Sequence, residues 1–328
     1  MTAIKRNPAT VGVFIGTVVI FLLSGLIEPG LLGGDSFRLV VLLSTFVIIV
    51  GFGQGIVILT GGLDLSVGSI ITLGGVLLGS WVPQSNAGLW WAIPAVLLIG
   101  AGIGALSGIG VTVLKMPAFV MTLAMGIIVQ SAILGYTHGA PAANSAPTLI
   151  SGVIENSWLG VPVIIVLTLI FVIVGSVIQD KSAFGRLVHA VGSNPKAARI
   201  GGLPTGRVIV ASYALSGCCA ALCGVVLLGF IGAPTLSMGN PYTIESIAAV
   251  VVGGSSILGG RGLFLSTVGG ALFLGVLSND MTAIGLSAGW RTLVEGGIIV
   301  GALALFKVFE TGGFVKLGRA FFPNAPRK

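Results

Sequence analysis

Charge is what this chain has least of. Only 8% of its 328 residues are Asp, Glu, Lys or Arg, against 55% hydrophobic residues, and the mean hydropathy is +1.11. A soluble domain carries about 25% charged residues because its surface must be wetted, so a water-facing globule is excluded. Histidine occurs only as His138 and His189, too far apart in the chain to suggest one site. Cys218, Cys219 and Cys223 share one apolar run with no His or acid beside them, and read as small packing residues rather than metal ligands. No Gly-x4-Gly-Lys-Ser/Thr phosphate loop is present, so the chain does not bind a nucleotide in that way. The net charge of +7 comes without a basic patch interleaved with aromatics, which argues against nucleic acid as a partner.

What is present is a succession of apolar runs, each long enough to cross a roughly 30 Å hydrocarbon core as a helix. They fall at 11–27, 38–59, 66–82, 89–114, 118–135, 162–178, 207–232, 243–258, 263–280 and 290–306. In lipid the backbone must satisfy its own hydrogen bonds, and the runs do not alternate as barrel strands would, so they are helices. The expectation is an all-α, polytopic transmembrane helical bundle of about ten spans, formed as a single permease-like domain over 1–328. Eight spans result if 66–82 and 243–258 only dip into the membrane. The first run follows Lys5 and Arg6 and reads as an uncleaved span. With both termini cytoplasmic, all basic residues except Arg38 and Arg291 fall on the inner side. Trp81, Trp90, Trp91, Trp158 and Trp290 then lie near the outer interface, where indole rings prefer to sit.

The chain is also rich in glycine, with 53 residues. Gly100, Gly104 and Gly108, the cluster Gly51, Gly53 and Gly55, and the pair Gly297 and Gly301 predict flat helix faces that let backbones approach closely. Gly61-Gly62 to Gly74-Gly75 is echoed by Gly253-Gly254 to Gly269-Gly270, which suggests an internal repeat pairing spans two and three with eight and nine.

Ionisable residues inside apolar runs are few, and each is informative. Gly61 and Gly62 predict a helix break, with Asp64 or Ser66 capping the helix that follows, or touching a solute; Ser69 lies one turn on. Glu245 either caps its helix or lines an outer vestibule. Arg291 and Glu295, four apart, predict an ion pair that Asp280 joins. The inner loop, about 179–206, contains Asn194 as an N-cap, Pro195 at the first helical position and Lys196, Ala197, Ala198, Arg199 and Ile200 as a short helix stopped by Gly201 and Gly202. Such a stiff segment is either a handle for a partner or a solvated loop.

Three segments carry a family resemblance. Gly61-Gly62-Leu63-Asp64-Leu65-Ser66-Val67-Gly68-Ser69 resembles the signature of the sugar-permease branch of the ATP-binding cassette importers, which includes ribose, xylose and galactofuranose permeases. Ala190-Val191-Gly192-Ser193-Asn194-Pro195-Lys196-Ala197-Ala198-Arg199 is similar to the family's cytoplasmic coupling segment. The third runs from Glu245 to Gly254, followed by Leu258-Gly259-Gly260-Arg261-Gly262. The likeness covers about residues 38–306. Members often carry a basic residue where this chain has Val129-Gln130-Ser131, and the outer loop 136–161 is unusual.

The resemblance implies a permease subunit of the bacterial inner membrane that is not itself an enzyme. It implies a cytoplasmic ATPase docked on Asn194 to Gly201, holding ATP and Mg, with no cofactor on this chain. It also implies a second permease copy or paralogue and a periplasmic sugar-binding protein that delivers a monosaccharide. Import of a nucleoside, polyol or sugar derivative is the alternative within that superfamily, and an ion-coupled secondary carrier the alternative outside it.

Overall fold

A computed structural model describes residues 8–140, 145–158, 160–287, 289–291, 293–294, 296–298 and 300–301. In chain order the helices are α1 (Pro8–Ile27), α2 (Gly34–Leu59), α3 (Val67–Trp81), α4 (Leu89–Thr112), α5 (Ala118–Thr137) and α6 (Thr148–Glu155). After a two-residue hairpin, β1 (Ser157–Trp158) and β2 (Val161–Pro162), come α7 (Val163–Lys181), α8 (Ala183–Ser193), α9 (Pro195–Ile200), α10 (Thr205–Ile231), α11 (Asn240–Val252) and α12 (Phe264–Ala283).

Seven of these helices, α1, α2, α4, α5, α7, α10 and α12, are long and apolar enough to cross a membrane. The expected runs 66–82 and 243–258 became shorter helices. At 1.5 Å per residue, α3 is about 22 Å long and α11 about 20 Å, each less than a bilayer core. The second of them stops at Val252, so 253–258 is turn rather than helix. Of the expected tenth span, 290–306, residues 290–291, 293–294, 296–298 and 300–301 are helical, and the rest, the expected partner Glu295 included, lies outside the described residues.

Both short helices follow the same device. The long helix before each ends on a left-handed glycine, Gly61 (φ +84°) after α2 and Gly232 (φ +85°) after α10. At these positions any side chain would strain the backbone. The Gly62 N–H returns to Val57 O (3.1 Å) and the Gly61 N–H to Ile58 O (2.8 Å), closing the last turn of α2. Non-helical runs then carry the chain back into the bundle, where α3 and α11 begin side by side: the Gly239 N–H donates to Thr72 Oγ1 (3.0 Å), and a methyl at Gly68 would lie 2.9 Å from Gly239 O. Gln130 on α5 holds the second run through its Nε2 and Leu236 O (2.9 Å). The pairs α2–α3 and α10–α11 thus share one arrangement, a long helix, a non-helical run and a short helix. Of the echoed glycine pairs, Gly61-Gly62 and Gly253-Gly254 follow helix ends, whereas Gly74-Gly75 and Gly269-Gly270 lie inside α3 and α12.

Close packing follows the glycines. A methyl at Gly100 would sit 2.5 Å from Gly217 O and one at Gly108 2.7 Å from Val210 Cα, while one at Gly104 would collide with Tyr213 O. The face predicted on α4 is thus pressed directly against α10. A methyl at Gly53 would likewise lie 2.6 Å from Ser216 Cα. Around Gly297 and Gly301, by contrast, no neighbouring atom among the described residues comes within 4 Å of an added methyl. Cys219 and Cys223 are buried, with the Cys223 thiol against Phe46 O (3.5 Å), so these two pack rather than face solvent.

Candidate functional site

The break after α2 is built around one carboxyl. Asp64 is fully buried; its Oδ1 accepts from the Ser66 N–H (3.0 Å) and the Ser66 hydroxyl (2.5 Å), and its Oδ2 from the Ser216 hydroxyl of α10 (2.8 Å). Ser66 is the N-cap residue of α3, but no side chain caps the helix's own amides. Asp64 instead closes the turn before α3 and ties it to α10. Tyr213 donates from its hydroxyl to Leu63 O (3.2 Å), and Thr122 of α5 donates to the same carbonyl (3.2 Å). The break is therefore held from two other helices. Ser69 is half-buried and faces Gly126 of α5.

Removing this carboxyl leaves three donors without an acceptor, each costing about 1–3 kcal/mol in a buried setting. Asp64→Ala is expected to destabilise the chain by several kcal/mol and Asp64→Asn by clearly less, since the amide retains one acceptor oxygen. Thermal unfolding in detergent reads the order; equal losses for the two variants would contradict it.

A second cluster sits where α2 ends. The amphipathic helix α8 buries Val188 and Val191 and lays Gly192 against Leu59 O, so closely that a side chain there would collide. The same carbonyl accepts from the Gly260 N–H (2.9 Å). His189 Nδ1 faces Gly260 O (3.1 Å), which requires that nitrogen to carry its proton, and Gln179 Nε2 donates to Gly262 O (3.0 Å). One carbonyl thus joins α2, α8 and the 253–262 turn between α11 and α12. Sequence reading took 179–194 as loop, although Phe184, Leu187, Val188 and Val191 recur at helical spacing.

From this junction projects α9. The Asn194 side chain accepts from the Ala197 N–H (3.0 Å), with Pro195 in the first turn, as the sequence predicted. The helix ends with Gly202 N–H on Arg199 O (3.1 Å) and Leu203 N–H on Ala198 O (3.0 Å). Only Ala198 is buried, packed with Val188, Val191 and Val208. Asn194, Pro195, Lys196, Ala197, Arg199 and Gly201 are exposed, and Ile200 is 88% exposed. A charged pair of residues around an exposed isoleucine is a surface that a protein partner can cover.

Glu245 lies one and a half turns inside α11, whose N-cap is Gly239 without a side-chain cap. There it lines an open cavity together with Asn240, Tyr242, Ser278 and Arg291. Asp280 does not join Arg291: its Oδ2 accepts from Ser24 of α1 (2.7 Å), while Arg291 Nη1 donates to Thr282 Oγ1 (2.9 Å). Among the described residues no group of three or more His, Cys, Asp or Glu could hold a metal ion.

Comparison with known proteins places these features in context. The family described as branched-chain amino acid transport system, permease component, matches residues 37–303. The ribose import permease of Bacillus subtilis is 34% identical, covering 90% of this chain and 91% of that protein. The fructose import permease of Rhizobium meliloti is 33% identical over 88% of this chain and 83% of its own length. The autoinducer 2 import system permease of Escherichia coli K12 is 32% identical over 91% and 86%. No solved structure matches the chain.

Proposed function

We propose, on the premise that this chain belongs to the permease-component family of the branched-chain amino acid transport systems, that it imports a monosaccharide as the membrane subunit of an ATP-driven importer. The observation that carries the reading is the run of sugar-import permeases, for ribose and for fructose, that it resembles over about nine-tenths of its length. Those relatives favour a sugar over the amino acid in the family's description. The chain is a multi-pass inner-membrane protein, and ATP and Mg belong on a separate cytoplasmic ATPase rather than on it.

In this reading the ATPase docks on the exposed face of α9, and a periplasmic binding protein meets the opposite end of the bundle. A second permease, the same chain or a paralogue, completes the membrane part, and residues 1–328 act as a single permease domain. Ten traverses with both termini inside follow if α3 and α11 each cross together with the non-helical run before them. The direction of α1 supports that orientation: Thr10 bonds to Ser266 near the start of α12 and Ser24 to Asp280 near its end, so α1 starts at the α9 end. Lys115, Lys181, Arg186, Lys196, Arg199, Arg207 and Arg261 gather at that same end, in accord with the positive-inside bias. Closure of the ATPase dimer would push α9, and the Leu59 junction passes the push to α2 and to the turn between α11 and α12. Rigid-body rocking of packed helices is the kind of two-state change this implies.

Uptake of labelled ribose and fructose into vesicles that carry the chain with its ATPase and binding protein tests the proposal. Accumulation that requires internal ATP supports it. Accumulation driven by a proton or sodium gradient, unchanged when the ATPase is removed, contradicts it.

A further inference from the structure

At the end of the bundle opposite α9, an open cavity of about 530 Å3 sinks between the last turns of α10, the first turns of α11 and the end of α12. Its depth comes from the non-helical run 232–239, which returns α11 to the interior before the helix begins. The Tyr242 ring on the cavity wall packs on Phe46 (centroids 6.0 Å), whose carbonyl faces the Cys223 thiol. Cys223 lies eight residues, about 12 Å, short of the end of α10. The cavity therefore reaches from the outer end of the bundle, where Arg291 bonds to Thr282 in the last turn of α12, inward to Tyr242.

These groups are few and convergent. Asn240, Tyr242, Glu245, Ser278 and Arg291 face a space otherwise walled by apolar side chains such as Leu227, Phe230 and Met238. Among the described residues the buried Arg291 Nε has no hydrogen-bond partner, although a buried donor normally has one. Among the described residues the lining holds one carboxylate and one guanidinium, which balance, so the cavity favours an uncharged ligand. Its size falls within the roughly 300–1,000 Å3 of small-molecule sites, which are mostly apolar with a few placed polar groups.

We propose that this cavity is the intramembrane station where an uncharged pentose or hexose is held on its way through. The proposal rests on the import reading above. The Glu245 carboxylate accepts from adjacent hydroxyls, Asn240 and Ser278 donate and accept, the Arg291 Nε–H donates to a sugar oxygen, and the Tyr242 ring covers an apolar face of the sugar. A sugar phosphate is disfavoured, because its charge would meet Glu245.

The test is uptake kinetics with ribose and fructose as probes, in vesicles carrying the permease, its ATPase and its binding protein. Glu245→Gln and Asn240→Ala are each expected to raise the KM of the transported sugar about tenfold or more, while the ATPase still co-purifies. A Ser278→Cys variant adds a readout independent of turnover: a membrane-impermeant thiol reagent should label it from the side opposite α9, and saturating sugar should slow the labelling. KM values within about twofold of the unaltered chain, or labelling indifferent to sugar, overturn the proposal. If the variants do not assemble, the labelling result alone decides. A chain that imports neither sugar with ATP, before any substitution, removes the import reading itself and this proposal with it.

Discussion

Replacing residues 194–199 with a Gly-Ser linker is expected to abolish uptake and the co-purification of an ATPase, while leaving the membrane part folded. The reasoning is local. Helix α9 is six residues long and contributes one buried side chain, Ala198, to the core. A glycine-rich linker loses the Asn194 cap, worth about 1 kcal/mol, and the helix itself. It leaves the Leu59 junction untouched and costs α8 its contact with Ala198. What disappears is the stiff exposed surface of Pro195, Lys196, Ala197 and Arg199. Uptake and co-purification measured beside the unfolding temperature in detergent separate the cases. Normal uptake by the linker variant contradicts a coupling role, and a large drop in unfolding temperature assigns these residues to the fold instead.

Gly192→Val is expected to do the complementary thing: the ATPase still binds, but its cycle no longer moves the sugar. A side chain at Gly192 has nowhere to go, because its Cβ would collide with Leu59 O and stand 2.7 Å from Gly260 N, the donor to that same oxygen. Forcing extra methylenes into such a contact costs about 1–3 kcal/mol through displaced backbone. Here the displacement separates α8 from both α2 and the 253–262 turn, the two elements it would drive. A penalty of about 1.4 kcal/mol on the transport step alone is tenfold in rate. Uptake should therefore fall roughly tenfold or more, with ATP hydrolysis persisting and no longer stimulated by loaded binding protein. Gly206→Ala is the control, since the nearest atom to an added methyl there is Thr112 Cβ at 4.0 Å. Equal losses in both variants, or coupled transport in Gly192→Val, would refute the junction as the transmitting element.

The long helices were legible because burial in lipid writes itself into composition. The predicted 89–114 and 118–135 became Leu89–Thr112 and Ala118–Thr137, and the glycines of α4 lie against α10 as their spacing demanded. The cap at Asn194 was legible for a different reason: capping is local, and the residues that make it are adjacent in sequence. What sequence could not supply was anything set by returning chain. That α3 and α11 begin side by side depends on where two non-helical runs lead, and hydropathy does not record direction. Glu245 left two readings open until the fold put it on a cavity wall with Ser278 and Arg291, which are remote in the chain. Asp64 was expected at a helix start, yet its second oxygen is bound by Ser216, 152 positions away. The helix α8 was a different kind of miss, since its apolar spacing was present and was overshadowed by the loop-like residues after it.

The most direct test of the central claim is a tagged pull-down of this chain from gently solubilised native membranes, with its companions identified by mass spectrometry. An ATPase bearing a phosphate loop, a second permease or further copies of this chain, and a periplasmic protein that carries a monosaccharide are the predicted recovery. Recovery of the chain alone, together with proton- or sodium-driven uptake once it is reconstituted in liposomes, would contradict the account.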